Sequence, residues 1–148
     1  MKRVIILCLG ILSASASFSQ RSFSWEPNNS ITINVTPNGM EQDKIEQLNI
    51  SSDSLVLGLR IVERTIPDTW DGLICIHGAC LNGIPSLGDS FEMERIAKGE
   101  RGYVQLTVNP LGGKGSGYLK VYVYNASDPS DGDTATFMVN SKVANATT

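Results

Sequence analysis

Period-two alternation of apolar and polar residues, broken by turn residues, constrains this chain more than any other feature. "SITINVTPNG" sets Ile31, Ile33 and Val35 on one face and Thr32, Asn34 and Thr36 on the other. Pro37, Asn38 and Gly39 then end the run with turn chemistry. "KIEQLNI" reads as a weaker strand with Leu48 and Ile50 inward. In "SLVLGLRIVERTIP", Leu55, Leu57, Leu59 and Ile61 align, and Val56 and Val62 suggest cover on the opposite face as well. "SFEMERI" offers Phe91 and Met93, and "GYVQLTVNP" offers Val104, Leu106 and Val108. "GYLKVYVYN" aligns Leu119, Val121 and Val123, and "TATFMVN" aligns Ala135, Phe137 and Val139. Helical periodicity is nearly absent between these runs, which disfavours parallel βαβ construction. Strands with one apolar face belong to antiparallel sheets, and two such sheets must bury those faces against each other. The expectation is an all-β antiparallel sandwich of about seven strands.

The N-terminus, "MKRVIILCLGILSASASFSQ", has a basic start at Lys2 and Arg3, an apolar run from Val4 to Leu12, and small residues after it. That is the pattern of a signal peptide, with cleavage expected after Ser19. The run is too short for a membrane span, which needs about 20 apolar residues, and no later stretch is long enough either. The expected organisation is a signal peptide at 1–19, a lead-in at 20–29, the sandwich at 30–140 and a polar tail at 141–148. Formal charge is −3, and loss of Lys2 and Arg3 takes it to −5. An acidic chain without a basic run is a poor match for nucleic acid or an anionic membrane surface.

Cys8 lies in the apolar run, which leaves Cys75 and Cys80 in "WDGLICIHGACLNG". An exported pair of cysteines favours a disulfide. His77, the one histidine of the chain, would then sit in solvent at the tip of a stapled loop. Two other readings use the same residues. Zinc at Cys75, His77 and Cys80 would need a fourth ligand from Asp71, Asp89, Glu92 or Met93. A redox cysteine would need a helix N-terminus or basic neighbours, yet no Lys or Arg occurs between residues 65 and 94. Blue copper needs two histidines and is excluded.

The other polar groupings fit simple structural roles. A triad around His77 has no nucleophile elbow. The loop "PLGGKGSG", Pro110 to Gly117, reads as a hairpin connection, since no helix follows it to make a phosphate cradle. Glu92 and Glu94 fall on an outward face beside Phe91 and Met93, where they solubilise. Asp128, Asp131 and Asp133 could offer oxygen ligands to calcium, but they lack the EF-hand spacing and fit an acidic turn between strands. Tyr118, Tyr122 and Tyr124 share the outer face of one strand with Lys120. An open tyrosine row can dock a protein or glycan; a covered one is structural.

"WDGLICIHGAC", "GERGYVQLTVNP", "GKGSGYLKVYVYN" and "DTATFMVN" together resemble small exported Ig-like modules of Bacteroidota bacteria, over residues 30 to 140. The resemblance implies an Ig-like fold and no catalysis. Many such modules continue into a sorting domain of the type IX secretion system, and none follows here, which favours a periplasmic or released protein or a truncated gene. The resemblance also points to O-glycosylation at Ser54 in "DSL" and Thr134 in "DTA". The reading is an exported, non-catalytic, cofactor-free Ig-like module, a binding or structural component of the periplasm, cell surface or extracellular space, with an unidentified protein or glycan of the envelope as partner. The alternative is a small metal-binding or redox protein that uses Cys75, His77 and Cys80.

Overall fold

A computed structural model describes residues 21–143. The expected signal peptide, Cys8, and the last five residues of the expected tail lie outside them. Ten strands occur among the described residues: β1 (Phe23–Glu26), β2 (Ser30–Val35), β3 (Glu41–Asn49), β4 (Leu57–Arg64), β5 (Asp71–Ile76), β6 (Ala79–Asn82), β7 (Ser90–Glu92), β8 (Arg101–Asn109), β9 (Gly115–Asn125) and β10 (Asp128–Ser141). They form two five-stranded sheets, β1-β3-β8-β5-β6 and β2-β10-β9-β4-β7. The chain is an all-β Ig-like sandwich. No helix among the described residues is long and apolar enough to cross a membrane.

The alternation does what period two requires. Val104, Leu106 and Val108 of β8 and Leu119, Val121 and Val123 of β9 are fully buried, and so are Ala135, Phe137 and Val139 of β10. They meet Leu57, Leu59 and Ile61 of β4 in one core. Phe91 and Met93 pack there too. A buried Val or Leu side chain contributes roughly 1.5–3 kcal/mol relative to exposure, so these rows hold the sheets face to face.

Five details depart from the sequence reading. Three of the ten strands carry no clear apolar alternation: β1, which falls inside the expected lead-in, and the short hairpin β5–β6. β10 also runs one residue into the expected tail. Second, β2 runs parallel to β10, pairing Ser30 with Thr136 through Val35 with Ser141, while the other pairings are antiparallel. Third, Pro110–Lys114 is no hairpin, because it carries the chain from β8 in one sheet to β9 in the other. The crossing turn puts Leu111 at φ 52° and Gly112 at φ 88°. Fourth, Val62 is 39% exposed; a bulge between Ile61 and Glu63 turns it out of the ladder with β9, so β4 is covered on one side there.

β3 also presents the face opposite to the expected one. Ile45, Gln47 and Asn49 point inward, whereas Ile50 is 45% exposed. Asn49 explains the choice. Its Nδ2 donates to the carbonyls of Asp53 (2.9 Å) and Ile96 (3.0 Å), and its Oδ1 accepts from the Ser51 amide (2.9 Å). One buried amide thereby satisfies three backbone groups where the chain leaves the sheet. Gln47 is less well served: Nε2 donates to the Ile45 carbonyl at 2.9 Å, and Oε1 is buried without a partner. Asn49→Ala should therefore lower unfolding free energy by about 1–3 kcal/mol. Gln47→Leu should stay within about 1 kcal/mol of wild type, because it removes an unsatisfied acceptor. Urea denaturation of both variants checks the contrast, and equal losses would contradict it.

Candidate functional site

The cysteines stand opposite each other on β5 and β6, next to the turn His77–Gly78. Their Cα atoms are 4.0 Å apart and the sulfurs are bonded. That spacing is characteristic of a non-hydrogen-bonded antiparallel pair, where facing residues come closest. Gly78 has φ +97°, and a Cβ there would lie 2.2 Å from the Glu94 side chain, so glycine is required. The turn is not a free tip. The His77 amide donates to the Tyr103 carbonyl at 3.0 Å, and its carbonyl accepts from the Glu94 amide at 2.9 Å. The imidazole is half-buried, edge-on to Tyr103 at 6.0 Å, which corrects its expected place in solvent. With both sulfurs in the disulfide, neither cysteine is a free thiolate for zinc or redox chemistry.

The three aspartates serve separate ends. Asp128 Oδ1 accepts from the amide and hydroxyl of Ser130 (3.1 and 2.6 Å). Asp131 accepts from the Ser22 amide (3.1 Å to Oδ2). Asp133 Oδ2 accepts from Trp25 Nε1 at 3.0 Å and Arg21 Nη1 at 2.5 Å. Asp131 and Asp133 thus tie the start of the domain to β10. The three aspartates do not form the alternative calcium grouping: no group of three or more His, Cys, Asp or Glu side chains among the described residues converges to hold a metal ion.

The tyrosines stand on the outward face of β9, flanked by β4 and β10. Tyr124 is level with Gly58 on β4 and Gly132 on β10. Its ring lies across Gly58, where a Cβ would fall 2.6 Å from Cε2 and Cζ. Tyr122 lies over Gly132 in the same way, 2.5 Å from its hydroxyl, and donates to the Pro129 carbonyl at 3.0 Å. The two rings are 5.7 Å apart and within 21° of parallel. Glycine on either side lets both rings settle onto the sheet as one half-buried aromatic surface, with Arg60 exposed next to Tyr122. Tyr118 belongs to a different group. Its hydroxyl donates to Glu63, which also accepts from Lys120 Nζ at 2.6 Å, and Lys120 sits 5.1 Å over the Tyr118 ring. The hydrogen bonds from Lys120 and Tyr118 hold Glu63 below the ordinary carboxylate range. Sequence alternation placed the three tyrosines on one face but had no signal for the split, which depends on which neighbour across the strand is glycine and which is glutamate.

Ser54 and Thr134 are both half-buried. Ser54 Oγ accepts from Arg95 Nη1 at 3.0 Å. Thr134 lies mid-strand opposite Tyr122.

No protein-family model matches the chain, and no curated protein matches it by sequence. Solved structures do. The chain is similar to the ASH/PapD-like domain of human CEP192 (PapD-like domain 7), at 13% identity and a TM-score of 0.53 over 95% of this chain and 99% of that one. It is similar to the N-terminal domain of PorA, at 18% identity and a TM-score of 0.51 over 76% of this chain and 87% of that one. It also matches the enterotoxigenic E. coli adhesin CfaE, at 15% identity and a TM-score of 0.50, over 85% of this chain and 49% of the adhesin. At such identities the likeness shows a shared fold, the Ig-like β-sandwich.

Two predictions follow from these contacts. Replacing both Cys75 and Cys80 by Ala should cost about 2 kcal/mol or less, because the bond closes a short loop; the far-ultraviolet spectrum should stay that of a sheet protein, and loss of that spectrum would show that the hairpin holds the whole domain. The second concerns acid. Burial works to raise Asp133, but hydrogen bonds from Trp25, Arg21 and the Thr134 amide together pull it below its ordinary 3.8. A depressed folded value means the contribution is complete above the ordinary value and is lost as pH falls through the folded one. The Trp25 indole N–H should therefore lose its protection from exchange below the ordinary carboxylate range, and Asp133→Asn should remove that pH dependence.

Proposed function

We propose that this chain is an exported, non-catalytic Ig-like module that binds a protein or glycan of the cell envelope through the outward face of β9. The observation that carries the reading is the Tyr122–Tyr124 surface, two near-parallel rings laid over Gly58 and Gly132 on a sheet face. Rigid aromatic rings present large contact area at low entropic cost, with a hydroxyl at the rim for hydrogen bonding. The Tyr124 hydroxyl has no hydrogen-bond partner among the described residues, whereas that of Tyr122 is committed to Pro129. Export is supported by the signal-peptide pattern of residues 1–19 and by the Cys75–Cys80 disulfide, since such bonds persist in oxidising compartments. The sequence resemblance to Bacteroidota modules supports a host among those bacteria.

The test separates binding from folding. Tyr122→Ser with Tyr124→Ser should cost roughly 1–2 kcal/mol, from the ring pair and its cover over glycine, and leave the protein folded. Retention of the purified double variant on envelope and glycan extracts should fall well below wild type. Retention equal to wild type, with the fold intact, would remove this face as the binding site.

A further inference from the structure

β10 carries a bulge of which the tyrosine face uses only the Pro129 carbonyl. Asp128 pairs with Asn125 and Gly132 pairs with Tyr124, so Pro129, Ser130 and Asp131 are looped out of the ladder. A bulge redirects the side chains it carries. Here it turns Asp131 inward until only 8% of the residue is exposed. Its one donor among the described residues is the Ser22 amide, shared between the two oxygens at 3.3 and 3.1 Å. No Lys, Arg or His among the described residues forms an ion pair with it. Asp133, two residues on, holds both Arg21 and Trp25. A carboxylate offers about four acceptor positions, and buried charges are ordinarily paired because desolvation is costly. Ser22 repeats the pattern. It is 9% exposed, and its Oγ is buried with no hydrogen-bond partner.

Both residues line a cleft of about 550 Å³ at this end of the sandwich. Asn125, Asp128, Lys98 and Arg21 line it as well, with Arg21 held by Asp133. Lys98 is exposed and has no ion-pair partner among the described residues. The floor therefore has unused acceptors, and the rim has an unused cation. A bare hard cation fits poorly: calcium takes six to eight oxygens, and among the described residues no group of three acidic or imidazole ligands converges here. A primary ammonium fits better, because its three N–H donors can be shared between a carboxylate and a hydroxyl. We propose that this cleft binds a small zwitterion of the amino-acid type, with its ammonium group at Asp131 and Ser22 and its carboxylate at Lys98.

The test is a titration of the isotopically labelled protein, following the backbone amides of Ser22, Ile50, Lys98 and Asp131. The probes are alanine, ethanolamine, propionate and calcium chloride. Alanine should shift these amides, ethanolamine should do so more weakly, and propionate and calcium should not. Asp131→Asn keeps an acceptor for the Ser22 amide, so the fold should survive while alanine affinity falls about tenfold or more, the loss of a charge-assisted hydrogen bond. Lys98→Ala should bring alanine down to the level of ethanolamine, and Ser22→Ala should weaken both amines. The proposal is overturned if millimolar alanine shifts nothing, if calcium alone shifts the amides, or if folded Asp131→Asn binds alanine as wild type does. Should Asp131→Asn fail to fold, unchanged alanine binding in both Ser22→Ala and Lys98→Ala overturns it equally.

Discussion

The inner faces of β8 and β9 are the constraint on which the rest depends. Val104, Leu106 and Val108 on one sheet and Leu119, Val121 and Val123 on the other are fully buried in the same core. The two strands are consecutive in the chain, so Pro110–Lys114 must carry the backbone across the thickness of the sandwich. That crossing sets the handover between sheets, and the remaining strands add outward from it: β3 and β5 beside β8, β10 and β4 beside β9. The outward faces are then free to differ. One bears the disulfide hairpin with His77 and Tyr103; the other bears the tyrosines.

Polar groups decide the edges. β1 is short and has two neighbours in the sandwich: β3, by its ladder, and β10, by side chains. Asp131 takes the Ser22 amide, and Asp133 takes Trp25 and Arg21. The hydroxyl of Tyr122 reaches the bulge that carries Asp131, through the Pro129 carbonyl. The aromatic face and the polar cleft are therefore connected through one short stretch of β10, although their residues point in different directions.

Legibility in the sequence followed the chemistry of each element. Strands with strict alternation, such as Leu119–Val121–Val123 and Ala135–Phe137–Val139, were readable because burial alone determines which way they face. β3 was not, because Asn49 faces inward to satisfy the backbone of Asp53, Ser51 and Ile96, and a hydrophobicity count assigns that position to solvent. β1 has too few residues to show a period. The hairpin at Cys75 and Cys80 looked like a loop because Gly72, His77 and Gly78 interrupt it. At the candidate sites, the tyrosines were legible as a face. The burial of Asp131 was not, since three carboxylates at similar spacing look alike until the bulge sends each to a different partner.

The parallel pairing of β2 with β10 has a consequence for how the chain reaches its folded state. Ser30 through Val35 lie opposite Thr136 through Ser141, more than a hundred positions away, and the Arg21–Asp133 contact spans 112 positions. Closure of so long a loop is entropically expensive, and non-local pairing makes folding slow. A chain made from its N-terminus presents β2 well before β10 exists to receive it. β1 can pair with β3 first, whereas the docking of β2 on its ladder waits for the last strand.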